Sequence, residues 1–269
     1  MFMHARNGTL PLKDDTMDYV RFGAGSKTLI LLPGLGDGLT TVKGTALPMA
    51  MMYRLFAKDY TVFMFSRRNH LPAGYSTRDM ACDLKNAMDI LGIDQADLIG
   101  VSMGGMIAQH FAADYPGSTR KLVLVVTCAA PNPILTESLC EWTALARLGD
   151  HSALMDSNVR RMYSDAYYRR NRWLIPLVGR LTKPKSYDRF LIQADACQSH
   201  CALDRLAAIT APTLVIGGEQ DSALGGAASR EIADAIPKAS LKIYPQWGHA
   251  LYEEAPDFHQ IVLDFLGKD

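Results

Sequence analysis

The chain has 269 residues, 48% of them hydrophobic and 21% charged, which is enough to bury a large core without disulfides or metal staples. Lys plus Arg and Asp plus Glu both number 28. That balance argues against a nucleic-acid partner or a membrane surface and for a small-molecule substrate, and it leaves the oligomeric state open.

The first stretch, MFMHARNGTLPLKDD, lacks the basic segment and apolar run of a signal peptide, and no window approaches the roughly 18 apolar residues of a membrane span. A cytoplasmic protein is expected. Strand-like and helix-like stretches then alternate: MDYVRFG, KTLILLPG, a helical segment around LPMAMMYRLFAKDY, and YTVFMFS. A marked helix from Ser76 to Leu91 opens with a Ser76/Asp79 capping box and stops at Gly92. Its apolar residues Met80, Leu84, Ala87, Met88 and Leu91 share one face. DLIGV reads as a buried strand, MGGMIAQHFAADY as a helix ending at Pro116 and Gly117, and KLVLVVT as the next strand.

From about residue 131 to 207 the pattern holds only helix-like stretches, among them ESLCEWTALARL, SALMDSNVRRMYSDAYYRR and DRFLIQADACQSH. After residue 210, TLVIGG and LKIYPQ are strands, with helices near SREIADAI and FHQIVLDFL. The fold class is therefore α/β, a mostly parallel central sheet with helices on both faces. The core spans 1–130 and 208–269, and a helical cap, 131–207, is inserted between them. The five cysteines, at positions 82, 128, 140, 197 and 201, form an odd, scattered set that reads as reduced thiols. Cys197, His200 and Cys201 fall at helical spacing without a fourth ligand and read as packing, so no metal is assigned.

Residues 100–104, GVSMG, match Gly-x-Ser-x-Gly between a predicted strand and a predicted helix. Glycines there remove side chains that would collide in a sharp turn, which exposes the serine. A serine at its free pKa is a poor nucleophile, so a base and an acid that orients it are needed from later strand ends.

With these residues in place, the chain resembles α/β-hydrolase-fold proteins over nearly its whole length. In that family the triad runs serine, acid, histidine, often with a helical cap ahead of the acid. The resemblance implies Ser102 as nucleophile, Asp221 in GGEQDSA as acid and His249 in PQWGHALYEEAP as base. His70 is the rival base, because its loop opens on the same sheet edge, and Glu219 is the rival acid, two residues from Asp221. The resemblance further implies an oxyanion hole made by the backbone N–H groups of Leu35 and Met103. Leu35 lies in PGLGDG, where the family more often has His-Gly.

The loop Ser66-Arg67-Arg68-Asn69-His70 also departs from the family pattern. Arg67 and Arg68 are candidate ligands for a substrate carboxylate, set against the plainer reading of a solvated pair. Residues 160–189 hold nine basic side chains against Asp165 and Asp188, which reads either as steering of anions or as a solvated or contact face.

The expectation is a serine hydrolase that cleaves a small or medium carboxylic ester through an acyl-enzyme on Ser102, with no cofactor. Two alternatives stand beside it. One is carbon-carbon hydrolysis or a lyase reaction on an anionic substrate by the same triad, and the other is a ligand-binding protein of this fold without chemistry.

Overall fold

KTLILL at residues 27–32 is too short for a helix and too apolar for one face. As a strand it splits by alternation, with Ile30 and Leu32 entering one core and Leu29 and Leu31 the other. The computed structural model, which describes residues 2–268, repeats this arrangement along a single sheet. Its strands are β1 (Arg6–Pro11), β2 (Thr16–Phe22), β3 (Lys27–Leu32), β4 (Tyr60–Arg68), β5 (Ala96–Val101), β6 (Thr119–Val125), β7 (Thr213–Gly218) and β8 (Ala239–Tyr244). They are ordered β1-β2-β4-β3-β5-β6-β7-β8. β2 pairs antiparallel with β1 and β4, and every other pairing is parallel.

The helices in chain order are α1 (Ala46–Met52), α2 (Thr77–Ile90), α3 (Met103–Asp114), α4 (Pro133–Arg147), α5 (His151–Met162) and α6 (Asp165–Asn171). They continue with α7 (Ile175–Leu181), α8 (Asp188–Gln198), α9 (Leu203–Leu206), α10 (Ala228–Ala235), α11 (Leu251–Glu254) and α12 (Phe258–Gly267). One core gathers Met80, Leu84 and Met88 of α2, Ile107 and Phe111 of α3, and Ile232 of α10. The other gathers Ala50 of α1 with Phe258, Val262 and Leu266 of α12. The sheet is thus covered on both faces.

The Ser76 box forms as read. Ser76 Oγ accepts the Asp79 N–H at 3.1 Å and Asp79 Oδ2 accepts the Ser76 N–H at 2.9 Å, a device that stabilises a helix start by about 1 kcal/mol. Between β6 and β7 the chain makes α4 to α9 and no strand.

Three elements differ from the sequence reading. β1 was not anticipated, since its mostly exposed residues RNGTLP carry little alternation and only Leu10 of the strand is buried. The helix expected near residues 47–60 ends at Met52, followed by a short 3-10 turn at Phe56–Lys58. The long stretch SALMDSNVRRMYSDAYYRR breaks at Tyr163, because the Ser164 side chain caps α6 by accepting the Tyr167 N–H at 3.2 Å. Among the described residues no helix is long and apolar enough to cross a membrane.

Candidate active site

Ser102 follows directly on β5 and precedes α3, with φ 54° and ψ −120°. A non-glycine residue in that region is strained and persists only when its surroundings hold it there. Close packing does so: a Cβ on Gly104 would lie 2.0 Å from the Leu32 carbonyl oxygen, and one on Gly100 would lie 2.6 Å from that of Gly104. The Ser102 N–H donates to the Val125 carbonyl at 2.9 Å, and the Ser102 carbonyl accepts from the Gly105 N–H at 2.8 Å. The turn is tied to β6 behind it and to α3 ahead.

Asp221 sits just after β7 and His249 in the loop after β8, and both are buried. His249 Nδ1 donates to Asp221 Oδ2 at 2.8 Å. Asp221 Oδ1 accepts the N–H groups of Ala223 at 2.9 Å and Leu224 at 3.0 Å, so both carboxylate oxygens are engaged and its orientation is fixed. The two loops touch: the Gln220 N–H donates to the Trp247 carbonyl at 3.1 Å. The Ala250 N–H, one residue past His249, donates to the carbonyl of Met162 at the end of α5 at 2.8 Å.

The rivals fall elsewhere. Glu219 pairs with Arg230 at 2.7 Å. His70 pairs with Asp15 at 2.9 Å, with its side chain 90% exposed.

Ser102 and His249 both lie on the wall of one cavity of about 460 Å³. The sheet and α1 side contributes Leu31, Met49, Met64 and Val101, and α4, α5 and α8 contribute Trp142, Leu154, Met155 and Phe190. The polar side chains on this wall include Asp37, Glu253, Asn158, Thr40, and His151 with Thr182, whose Nε2 and Oγ1 are 3.3 Å apart. Burial, and secondarily Lys183, hold His151 below the usual histidine range, so it sits in the wall as a neutral ring. No Lys or Arg is on the wall, among the described residues.

Leu35 opens a short 3-10 turn, Leu35–Gly38, and lines the cavity; Met103 is the first residue of α3. The N–H groups at the start of such elements have no intrahelical acceptor and point outward.

Arg67 and Arg68 do not line this cavity. Arg67 is buried, and its guanidinium donates to the Pro33 carbonyl; burial holds it below the usual arginine range, opposed by Asp37. Arg68 forms a two-point pair with Asp83, at 2.9 Å through Nε and 2.8 Å through Nη2. The pair is neither solvated nor turned toward the cavity, because β4 extends through both residues and alternation sends them into packed surroundings.

Sequence reasoning missed Asp37 and Arg189. The Asp37 carboxylate accepts from Arg189 Nη2 at 2.6 Å and from the Arg67 N–H at 3.0 Å. Arg189 also donates to the Asp37 and Arg67 carbonyls. A lone acid in a glycine loop was the available signal, but its partner lies 152 residues away and no local pattern links them.

The two buried thiols take no part. Burial pushes Cys128 up to about 12 and raises Cys197 further, so neither is a nucleophile at neutral pH.

A family model described as the alpha/beta hydrolase fold matches residues 27–256. The chain belongs to the α/β hydrolase fold family. Among its α/β hydrolase relatives, a 2-hydroxy-6-oxononadienedioate/2-hydroxy-6-oxononatrienedioate hydrolase of Paraburkholderia phymatum is 31% identical, over 91% of this chain and 89% of the relative. A hydrolase of the same description from Pseudomonas putida is 29% identical, over 98% and 95%. The enol-lactonase from Burkholderia xenovorans matches the fold with a TM-score of 0.81 at 23% identity, covering 97% of this chain and 100% of that one. The relatives are hydrolases, and the chain is an α/β-fold hydrolase.

Proposed function

We propose that the protein hydrolyses a neutral carboxylic ester with an apolar acyl group, through an acyl-enzyme on Ser102. The observation that carries this reading is the wall shared by Ser102 and His249, whose surface is mostly apolar and which includes no Lys or Arg among the described residues.

In the first step His249 takes the Ser102 Oγ proton as that oxygen attacks the ester carbonyl. Asp221, held by two backbone N–H groups, keeps the imidazole oriented and stabilises the imidazolium. The N–H groups of Leu35 and Met103 receive the oxyanion, each such donor contributing a few kcal/mol. His249 then returns its proton to the departing alkoxide. A water molecule, deprotonated by His249, cleaves the acyl-enzyme and releases the acid. In this reading residues 131–207 act as a cap whose Trp142, Leu154 and Met155 side chains shape the acyl pocket.

The relatives named for nonadienedioates act on dicarboxylates. A dicarboxylate here would meet no wall cation. Of the acids on the wall, Asp37 is neutralised by Arg189, and Glu253 is an uncompensated carboxyl. Burying an unpaired anion in such a place is strongly unfavourable.

The test is a panel of p-nitrophenyl acetate, butyrate and hexanoate run beside a 2-hydroxy-6-oxo-dienedioate. Turnover of the neutral esters, rising with chain length and lost in Ser102→Ala, is expected. A higher kcat/KM for the dienedioate would overturn the reading in favour of carbon-carbon hydrolysis.

A further inference from the structure

α7 is seated on α5 through Ile175 and Gly179, both buried, and a Cβ on Gly179 would lie 3.1 Å from Ser152. Its opposite face is bare, with Leu177 55%, Val178 39% and Leu181 78% exposed. Trp173, just ahead of α7, is 72% exposed, and Leu148, at the end of α4, is 80% exposed. Lys183 Nζ donates to the Gly149 carbonyl at 2.8 Å, which ties the segment after α7 to the end of α4 beside Leu148. Large apolar side chains this exposed and this close together mark a contact surface.

The charges of the same segment are segregated. Of its nine cations, Arg160, Arg161 and Arg189 are spent on Asp156, on Glu137 and Glu141, and on Asp37. Arg169, Arg170, Arg172, Arg180 and Lys185 are exposed and form no ion pair among the described residues. An overall neutral protein therefore presents five free cations beside a bare Trp and four bare aliphatic residues.

We infer that this face, formed by α6, α7 and the end of α4, docks on an anionic lipid surface. Helices with Arg and Lys flanking exposed Trp and Leu are suited to the boundary between headgroups and acyl chains. A second copy meeting this face across a two-fold axis would bring the same five cations against themselves. Whole-chain neutrality, which argued against a membrane surface, averages out this asymmetry. Thr182, next to Leu181, is exposed and also on the cavity wall, so a docked lipid surface would lie beside the apolar cavity. The docking rests on the surface alone; its link to substrate supply rests on the ester reading.

The experiment is co-sedimentation of the Ser102→Ala protein with vesicles of phosphatidylcholine alone and of an equimolar mixture with phosphatidylglycerol. Binding to the mixed vesicles only, weakened by added salt, is expected, with a blue shift of tryptophan emission that Trp173→Phe removes. Each neutralised cation should lower partitioning about fivefold, and the combined Arg169, Arg170, Arg172 and Arg180→Gln variant several hundredfold. These residues are exposed and unpaired, so an unchanged unfolding transition will show that this variant is folded. No sedimentation, or equal sedimentation with both vesicles, overturns the inference. So does a wild-type dimer in gel filtration that Leu177→Ser with Leu181→Ser converts to a monomer, which would assign the face to a second copy. Turnover of soluble esters by the intact-serine protein without vesicles is scored separately, so either proposal can fail alone.

Discussion

Arg189 on α8 is ion-paired at 2.6 Å with Asp37, which sits in the loop that begins at Pro33 and includes Leu35. The Asp37 side chain is 1% exposed and that of Arg189 15%, so α8 and the loop proposed to hold the oxyanion share one buried charge pair. Removing one member of such a pair leaves an unpaired buried charge, at about 3–5 kcal/mol. Arg189→Met should lower the unfolding free energy by that order in urea titration. It should also lower kcat more than KM, because a displaced Leu35 N–H weakens transition-state binding in particular. Arg189→Lys should recover part of both. Wild-type stability and kcat in Arg189→Met would show that the pair positions nothing.

Asp221→Asn keeps the size of the side chain but withdraws the carboxylate from His249 Nδ1. Turnover of neutral esters should fall by about three to four orders of magnitude, with a smaller change in KM. Glu219→Gln, at a side chain paired with Arg230, should stay within about twofold of wild type, as expected for an exposed pair. Comparable losses in the two variants would reopen the identity of the acid.

Glu253 accepts a 2.7 Å hydrogen bond from Tyr163 and lies on the cavity wall. Desolvation holds its carboxyl above the usual carboxylate range, against the pull of the Tyr163 bond. Glu253→Gln removes the wall's uncompensated acid. Its KM for an anionic monoester such as a p-nitrophenyl succinate should drop about three- to tenfold, and that for p-nitrophenyl butyrate should hardly change. Equal shifts for both substrates would point to altered packing rather than charge.

His200 is packed edge to face on His110 at 5.1 Å between ring centroids, and its Nδ1 lies 2.9 Å from Thr77 Oγ1. Burial, reinforced by His110, pulls His200 down to about 3. Burial also lowers His110, which faces Asp114, Arg78 and Arg205. The unfolded chain binds a proton near pH 6.5 that the folded chain refuses until about pH 3. The stabilising difference is therefore complete above pH 6.5 and is lost as pH falls. Urea titrations from pH 7 to pH 4.5 should show stability dropping by up to about 1.4 kcal/mol per pH unit from this site. His200→Gln should flatten that slope. An equally steep slope in the variant would place the acid sensitivity elsewhere.

How much was legible in advance follows from the range of the forces involved. The turn at Ser102 and the capping box at Ser76 are set by residues within a few positions, so they could be read locally. Asp221 and His249 were named instead through the family resemblance, and their loops are tied over long range, Gln220 to Trp247 and Ala250 to Met162. The fate of Arg67 and Arg68 could not be read locally, because it depends on Pro33 and Asp83, which reach them through the strand order of the sheet. β1 was overlooked because an exposed edge strand has little hydrophobic alternation. The break at Ser164 was missed because its serine is held by Glu254, at 2.9 Å through its N–H and 2.6 Å through its hydroxyl, 90 residues later. The cavity wall was the least readable part, since Trp142, Asn158 and Phe190 meet only after three helices have packed.

The bond from the Ala250 N–H to the Met162 carbonyl bears on how this scaffold can be re-engineered. The main chain beside His249 hangs from the last turn of α5, so exchanging residues 131–207 for a relative's segment would also move the proposed general base. A transplanted segment that delivers a carbonyl at the place of residue 162 should preserve the reaction and change only what is accepted. One that does not should give a folded protein with an intact serine and a misaimed imidazole.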